Sequence, residues 1–496
     1  MIRNSNFGLV RAVPAIFALV AAVVLAPTAA HADPVPNPSI TGPIPAPVLP
    51  HDVSRNYPFF ATDKPINKKG YVEEEYFFEG VAKRYNTPTG QTGTVISSGH
   101  PYRTRMLVRK PIDDKKFNGV VLVEWLNVTA GGSDDNDWYS THEHLMAEGY
   151  AYVGVSVQRV GVDYTRNWSP LRYSALDVTN GGTINDDSLS YDIFSQAGQA
   201  LRDPVGIDPL KGLRKKRIVI GDGESQSAGR LVTYVNAVMA RGDKAYDAIV
   251  LHSATAVVRP DSMTKVMLVN SEYDAEGVTA DRVQPDTKVF RVWEVAGTSH
   301  FDWDMFRSRL TLQMRDQGVS AAALATCVEP QNFTRTHFGY VLGRAYDHVA
   351  EWVRSGAQPP IAPRLTVLGY GTSEWGRPVI LARDAFKIAQ GGIRLPDVAV
   401  PTALNHGDNR LATGTGNCQL YGHWIPFSAY QIDQLYRNNA DYVHRVVDNV
   451  RANVRHGYIS KAAARELIRE AKEAEIGDGK KKNDPYVDID NDPDFN

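Results

Sequence analysis

The chain has 496 residues, of which 43% are hydrophobic and 22% are charged, and its formal net charge is -2. This composition is typical of a soluble globular protein, and the length leaves room for one large domain with insertions or for two domains. The near-neutral charge gives no electrostatic reason to expect a nucleic acid partner or an anionic membrane surface, so both are excluded as leading interpretations.

Residues 1–32 have the pattern of a secretory signal peptide. Arg3 and Arg11 accompany an apolar run over residues 12–26, and the segment ends in the small-residue pattern Ala30-His31-Ala32. Prolines interrupt the run, which disfavours a membrane anchor, and no later run reaches transmembrane length. We therefore predict cleavage near Ala32 and a mature protein that is secreted or stays in the periplasm or cell envelope, with no transmembrane segment.

The next part of the chain predicts a proline-rich lead-in followed by an α/β core. Seven prolines in residues 33–50 predict an extended segment outside the core. From residue 51 to 326, alternating or continuous apolar runs predict strands, and longer amphipathic segments predict helices. The predicted strands span 71–85, 102–109, 119–126, 151–157, 217–220, 248–251, 265–269 and 288–295, and the helices include 137–148 and 191–201. Such alternation predicts a mostly parallel central sheet with helices on both faces.

The pattern changes after residue 326 and predicts a C-terminal extension over 327–472. It consists of an amphipathic helix at 334–354, a loop-rich stretch at 355–428 and a helical section at 429–472. Residues 473–496 are dense in charge and predict a disordered tail. The two cysteines, Cys327 and Cys418, predict one disulfide in an exported protein, with two separate buried thiols as the alternative.

A strand that turns sharply into a helix is predicted around Ser225. The segment reads Gly223-Glu224-Ser225-Gln226-Ser227 and follows the apolar strand at 217–220. In a nucleophile elbow, the residues two before and two after the nucleophile must be small so that strand and helix can approach. Gly223 and Ser227 meet this requirement, although glycine is usual at the second of these positions. Ser225 is therefore the candidate nucleophile.

A serine nucleophile needs a base and a group that orients the base, and both follow Ser225 in the expected order. Asp274 comes after the strand at 265–269, and His300 comes after the strand at 288–295. Glu272 could take the role of Asp274, so the identity of the acid stays open. His252 is the nearest rival of His300, but it precedes the acid and so stands in the wrong order.

Two backbone donors are predicted to stabilise a developing oxyanion. One is the N–H of Gln226, directly after the nucleophile and at the start of the following helix. The other is expected in the loop after the strand at 119–126, where we favour the N–H of Asn127, with Leu126 as the next choice. Beside this loop, Asp134-Asp135-Asn136-Asp137 predicts a solvated polar loop rather than a calcium site. The sequence implies no metal and no organic cofactor.

Four segments together resemble a known family. They are Val123-Glu124-Trp125-Leu126-Asn127-Val128, the segment from Gly223 to Arg230, Arg291-Val292-Trp293-Glu294-Val295-Ala296-Gly297-Thr298-Ser299-His300, and Gly391-Gly392-Ile393-Arg394-Leu395-Pro396. Over nearly all of the mature chain, the sequence resembles a large, mainly bacterial family of α/β-hydrolase domain proteins. This resemblance implies an α/β-hydrolase fold with Ser225, an acid at Glu272 or Asp274, and His300 in the triad positions.

The function favoured by these residues is hydrolysis of a carboxylic ester, in a small-molecule or lipid-like substrate. An ester needs less assistance to its leaving group than an amide does, so an amidase or peptidase with the same triad is the alternative. A catalytically inactive exported binding protein is a further alternative, suggested by Ser227 and by the undecided acid. Residues 160–187 are a candidate cap over the site, with an ordinary surface insertion as the alternative. Residues 355–428 are a candidate for shaping the substrate pocket, with an extension that only packs on the core as the alternative.

Overall fold

One sheet of nine strands organises the molecule. The computed structural model describes residues 34–319, 326–330, 332–413 and 416–476, together with Met1 and Gly8. The strands are β1 (Ser39–Thr41), β2 (Tyr71–Asn86), β3 (Thr94–Pro111), β4 (Val120–Trp125), β5 (Ala151–Val155), β6 (Ile218–Asp222), β7 (Ala248–His252), β8 (Lys265–Ser271) and β9 (Phe290–Val295). Their order in the sheet is β1-β2-β3-β5-β4-β6-β7-β8-β9.

The six strands β4 to β9, which are neighbours in the sheet, pair in parallel. The pairs that involve β1, β2 and β3 are antiparallel. All residues of β4, β5 and β7 are buried, which is why these segments read as continuous apolar runs in the sequence. The structure confirms the predicted mostly parallel sheet. The strand bounds differ from the predicted ones chiefly at β3, which begins at Thr94 and so forms a long hairpin with β2.

Thirteen α-helices surround the sheet within the described part of the chain. They are α1 (Asn136–Glu148), α2 (Arg159–Trp168), α3 (Pro170–Tyr173), α4 (Ser190–Arg202), α5 (Gln226–Thr233), α6 (Glu272–Ala275), α7 (Trp303–Leu312), α8 (Phe338–Ser355), α9 (Pro396–Ala399), α10 (Cys418–Tyr421), α11 (Ala429–Leu435), α12 (Asn439–His456) and α13 (Lys461–Glu473). Adjacent residues of β6 show that helices cover both faces. A Cβ on Gly221 would point toward Phe194 of α4, whereas the Asp222 side chain accepts a hydrogen bond from Tyr346 of α8.

The proline-rich lead-in contributes to the core. Its residues Ser39–Thr41 form β1, which pairs with β2, and Ile40 packs in the main hydrophobic cluster. The prediction that this segment lies outside the core is therefore wrong for these residues. The three residues lie between prolines, and a strand of this length has too short a pattern to be recognised in the sequence.

The C-terminal part adds three small two-stranded sheets and the helices α9 to α13. The sheets pair β10 (Thr326–Cys327) with β14 (Leu411–Thr413), β11 (Val367–Tyr370) with β12 (Val379–Leu381), and β13 (Ala403–His406) with β15 (His423–Pro426). Cys327 and Cys418 form the predicted disulfide, with their Cα atoms 5.6 Å apart. The described residues from 34 to 476 belong to one compact unit.

Two predicted segments fall outside the described residues. They are the signal peptide at 1–32, apart from Met1 and Gly8, and the tail beyond residue 476. Within the described ranges, none of the helices combines the length and the apolar character needed to cross a membrane.

Candidate active site

Ser225 occupies the tight turn between β6 and α5. Its backbone has φ 59° and ψ -117°, a left-handed conformation that is strained for a residue with a side chain. The Ser225 N–H donates to the carbonyl of His252 at 2.9 Å, and the Gly229 N–H donates to the carbonyl of Ser225 at 3.1 Å. The neighbouring strand and the helix thus hold the turn on both sides, as a nucleophile elbow requires.

The elbow also explains why small residues flank Ser225. A Cβ atom on Gly223 would lie 3.0 Å from the Cβ of Ser227, a tighter contact than Cβ atoms usually make, so a side chain at position 223 would require its neighbours to shift. Ser227 is fully buried, and its hydroxyl has no hydrogen-bond partner among the described residues. The structure therefore accommodates serine where glycine is usual.

The structure brings Ser225, His300 and Asp274 into one hydrogen-bonded row. The Nε2 atom of His300 lies 2.7 Å from the Ser225 Oγ, and its Nδ1 atom lies 2.7 Å from the Asp274 Oδ1. His300 stands on the loop after β9, and Asp274 lies in α6 directly after β8. All three side chains come from the carboxyl ends of parallel strands, where functional groups collect in such sheets.

Glu272 has different partners from Asp274. Its carboxylate accepts from the Gly297 N–H at 2.6 Å, from the Arg383 guanidinium at 2.9 Å and from the Gly407 N–H at 3.2 Å. These contacts connect the histidine loop to the C-terminal part of the chain. Of the two acids that the sequence left open, Asp274 is the one that contacts His300.

Asp274 is held in its ionised form. Burial raises the pKa of this carboxyl, but the charge and hydrogen bond of His300 and the hydroxyl of Ser271 outweigh burial and lower the pKa to about 2. Ser271 precedes α6, donates to the Asp274 carboxylate and accepts from the Asp274 N–H at 3.1 Å. The acid is therefore charged and fixed in orientation at any ordinary pH.

A second carboxylate contacts His300 on the side of Ser225. The Glu224 Oε1 lies 3.1 Å from the His300 Nε2, and the amides of Asn127 and Asn136 donate to the Glu224 Oε2 at 2.9 and 2.8 Å. Burial lowers the pKa of His300, but Asp274 and Glu224 together raise it well above its ordinary value. The sequence gives no signal for Glu224, because only the turn geometry decides where the side chain before Ser225 points.

The two predicted oxyanion donors differ in the structure. The Gln226 N–H lies at the start of α5 and has no acceptor among the described residues. The Asn127 N–H instead donates to the Asp134 carbonyl at 2.9 Å, and the Leu126 N–H donates to the Val155 carbonyl at 3.3 Å. The prediction that Asn127 offers a free backbone donor is therefore wrong, because the loop closes on itself through an antiparallel bridge to Asp134.

The acidic run at 134–137 is buried, so the prediction of a solvated loop is also wrong. The carboxylates of Asp134 and Asp135 pair with Arg309 and Arg109, and Asp137 Oδ1 lies 2.6 Å from the Nδ1 of His252. Arginines distant in the sequence thus compensate the charges of Asp134 and Asp135, which the local composition could not reveal. Within the described part of the chain, no group of three or more ligating side chains is placed to hold a metal ion.

Of the two segments considered as caps, the C-terminal one reaches the site. The Arg377 guanidinium lies 3.8 Å from the ring centre of Tyr273, whose ring lies 5.8 Å from that of His300. In the segment at 160–187, Trp168 packs on Phe59, and Arg172 pairs with the buried Glu75 of β2. We conclude that part of the latter segment serves to pack the core.

Comparison with solved structures found low overall similarity to several hydrolases. A serine hydrolase without a lid from Xanthomonas campestris is 13% identical, with a TM-score of 0.28 over 44% of this chain and 89% of that chain. A dienelactone hydrolase from Anabaena variabilis is 14% identical, with a TM-score of 0.27 over 48% and 96%. A glucuronoyl esterase from Solibacter usitatus is 10% identical, with a TM-score of 0.24 over 45% and 76%.

The sequence itself gives the decisive comparison. No curated protein matches the chain, but the model of the alpha/beta hydrolase domain family matches residues 40–469. This range includes the sheet except for its first residue, Ser39, together with the elbow, the row formed by Ser225, His300 and Asp274, and the disulfide. The chain belongs to the alpha/beta hydrolase domain family.

Proposed function

We propose that the protein is an exported serine hydrolase that cleaves carboxylic esters through an acyl-enzyme on Ser225. The observation that carries the proposal is the row of two 2.7 Å hydrogen bonds that joins Ser225 to His300 and His300 to Asp274. A strained serine at an elbow, a histidine base and a buried ionised acid are the three parts that acyl transfer needs.

In the first half of the reaction, the Ser225 Oγ attacks the ester carbonyl while its proton passes to the His300 Nε2. The new bond joins Oγ to the carbonyl carbon. The bond from that carbon to the alcohol oxygen then breaks, and the Nε2 proton leaves with the alcohol. In the second half, the oxygen of a water molecule bonds to the acyl carbon while His300 accepts a proton from the water. The bond from Oγ to that carbon then breaks, His300 returns the proton to Oγ, and the carboxylic acid is released.

The negative charge on the carbonyl oxygen needs donors that are already in place. The Gln226 N–H supplies one, at the positive end of α5. We propose the N–H of Val128 as the second donor, in place of the N–H of Asn127. The Val128 N–H has no acceptor among the described residues. The amide of Asn127 donates to the Glu224 carbonyl at 3.0 Å, so this loop lies against the elbow.

Export of the protein is part of the proposal. It is supported by the signal-peptide pattern at residues 1–32 and by a disulfide, which forms and persists in oxidising compartments. The ester substrate is proposed because the triad needs to give less leaving-group assistance to an ester than to an amide. A small-molecule or lipid-like ester is the expected substrate class.

The test is covalent labelling with a fluorophosphonate, followed by peptide mass mapping, on protein recovered from an expressing culture. We expect the label on Ser225, no label in the Ser225→Ala and His300→Ala variants, and a mature N-terminus at Asp33. Matched ester and anilide substrates should show ester turnover that both variants lose. A folded parent protein that neither takes the label nor hydrolyses esters would contradict the proposal.

A further inference from the structure

Glu224 is a buried carboxylate whose charge is compensated by the catalytic histidine. Its side chain is 3% exposed, and His300 is the single cationic partner that the described residues place within ion-pair distance. Its other contacts are the neutral amides of Asn127 and Asn136. Burying a carboxylate without a cation is costly, so this arrangement favours the protonated form of His300.

The position of the carboxylate matters as much as its charge. Asp274 contacts Nδ1, the ring atom remote from the nucleophile, whereas Glu224 contacts Nε2, which also lies 2.7 Å from the Ser225 Oγ. The proton removed from Ser225 therefore arrives on the atom that faces Glu224. In the protonated imidazole, the Nε2–H can donate to Glu224 or to the leaving oxygen.

Other charged and titratable groups surround the pair formed by His300 and Glu224. Those that face His300 or Glu224 from the neighbouring elements are Asp274, Tyr273, His252, Asp137 and Asp134. Arg309 compensates Asp134, and His252 contacts Asp137. Burial lowers the pKa of His252 below its usual range, so this second imidazole adds little positive charge near neutral pH. Asp274 and Glu224 are the two carboxylates in direct contact with the His300 ring.

We infer that Glu224 is a positioning residue that stabilises the imidazolium form of His300 during acyl transfer, with Asn127 and Asn136 holding its carboxylate in place. The inference rests on the proposed function. Glu224 accepts no proton in either half of the reaction: the proton moves from Ser225 to His300 and then to the alcohol. The contribution of Glu224 is electrostatic, because its charge opposes the charge that develops on the imidazole.

This role has two consequences of opposite sign for the pH dependence. His300 must be neutral to accept the Ser225 proton, so activity falls as the pH drops below the pKa of His300, and the carboxylate raises that pKa. The same carboxylate stabilises the imidazolium in the transition state, which raises the rate at high pH. Removing the charge of Glu224 should therefore move the acidic limb of the pH–activity profile to lower pH. It should also lower the activity on the plateau at higher pH.

The test compares the pH profiles of kcat/KM for p-nitrophenyl acetate in the parent and in the Glu224→Gln and Glu224→Asp variants. Glu224→Gln keeps the size and polarity of the side chain without its charge. We expect its acidic limb to shift downward by about one pH unit or more, and its plateau to fall about tenfold or more. Glu224→Asp keeps the charge, so its acidic limb should stay closer to that of the parent.

The controls separate this inference from the proposed function. An active parent whose acidic limb is unchanged in Glu224→Gln would overturn the inference and leave the esterase proposal intact, whereas an inactive, unlabelled parent would contradict the esterase proposal itself. If Glu224→Gln does not fold, Asn136→Ala provides the second test, because it removes one anchor of the carboxylate. Its acidic limb should shift in the same direction by a smaller amount, and an unchanged limb there would also overturn the inference.

Discussion

At the scale of single residues, Glu272 and Asp274 show how position decides the role of a carboxylate. Residues two apart in a helical turn point to different sides, and α6 directs Asp274 to His300 and Glu272 to Arg383. Both side chains are buried, and each has a cationic partner. The local sequence therefore offers two equivalent candidates, and the fold distinguishes them.

Replacing each acid by its amide should give opposite results. Asp274→Asn leaves His300 without an anionic partner on Nδ1, so we expect kcat to fall about 10³-fold to 10⁴-fold. Glu272→Gln leaves Arg383 with Glu276 as its remaining carboxylate partner, so we expect a loss of stability of about 1–3 kcal/mol and most of the turnover retained. Ester turnover and urea unfolding measure the two effects.

The two variants serve as controls for each other, because each removes one buried charge from the same short helix. The assignment of Asp274 would be contradicted if Glu272→Gln lost turnover by the larger factor while Asp274→Asn kept it. Asp274 also has a pKa of about 2 in the folded protein against an ordinary 3.8. Its contribution to stability is therefore present above about pH 4 and is lost as the pH falls toward 2.

At the scale of elements, α6 depends on its N-cap. Ser271 has an extended backbone, and its hydroxyl accepts from the Asp274 N–H while it donates to the Asp274 carboxylate. A helix of four residues has few internal hydrogen bonds, so the cap is a large part of what defines its start. The same hydroxyl fixes the carboxylate that faces His300.

Removing this cap should cost both stability and activity. We expect Ser271→Ala to lower the free energy of unfolding by about 1 kcal/mol and to reduce kcat about tenfold, because the Asp274 carboxylate loses a donor. Ser460→Ala is the matched control. The Ser460 hydroxyl caps α13 by accepting from the Ala463 N–H at 3.1 Å, the same distance as between the Ser271 hydroxyl and the Asp274 N–H. It should lose similar stability with unchanged kcat. Equal turnover in the two variants would refute the positioning role of Ser271.

The elements that the sequence predicted are those with a long regular pattern. The parallel strands and α1, α4 and α8 were predicted because their apolar positions repeat over several turns or run continuously. The three-residue strand β1 and the short hairpins of the C-terminal part have no such pattern. In the site, Ser225, His300 and the pair of candidate acids Glu272 and Asp274 could be identified from their order after strands. The choice of Asp274, the position of Glu224 and the closed Asn127 loop depend on the fold and on turn geometry.

At the scale of the whole molecule, the C-terminal part supports the histidine loop. The Phe301 N–H, directly after His300, donates to the Leu420 carbonyl of α10 at 2.9 Å, and the Thr334 N–H donates to the Tyr421 carbonyl at 3.2 Å. The disulfide partner Cys418 begins the same helix. A segment far along the chain is thus hydrogen-bonded to the loop that carries His300.

The disulfide between Cys327 and Cys418 should contribute to global stability more than to the chemical step. It closes a loop with a sequence separation of 91, for which chain entropy gives about 4–5 kcal/mol of stabilisation. We expect the Cys327→Ser, Cys418→Ser double variant to unfold at correspondingly lower urea concentration.

The folded fraction of this variant should hydrolyse esters at nearly the parental rate. The hydrogen bond from Phe301 to Leu420 does not require the disulfide, so the histidine loop keeps its support while the chain is folded. Urea unfolding of the parent with and without dithiothreitol, beside the double variant, separates the two effects, because reduction should destabilise the parent and leave the variant unchanged. A large loss of kcat in the folded variant would instead show that the disulfide itself positions the histidine loop.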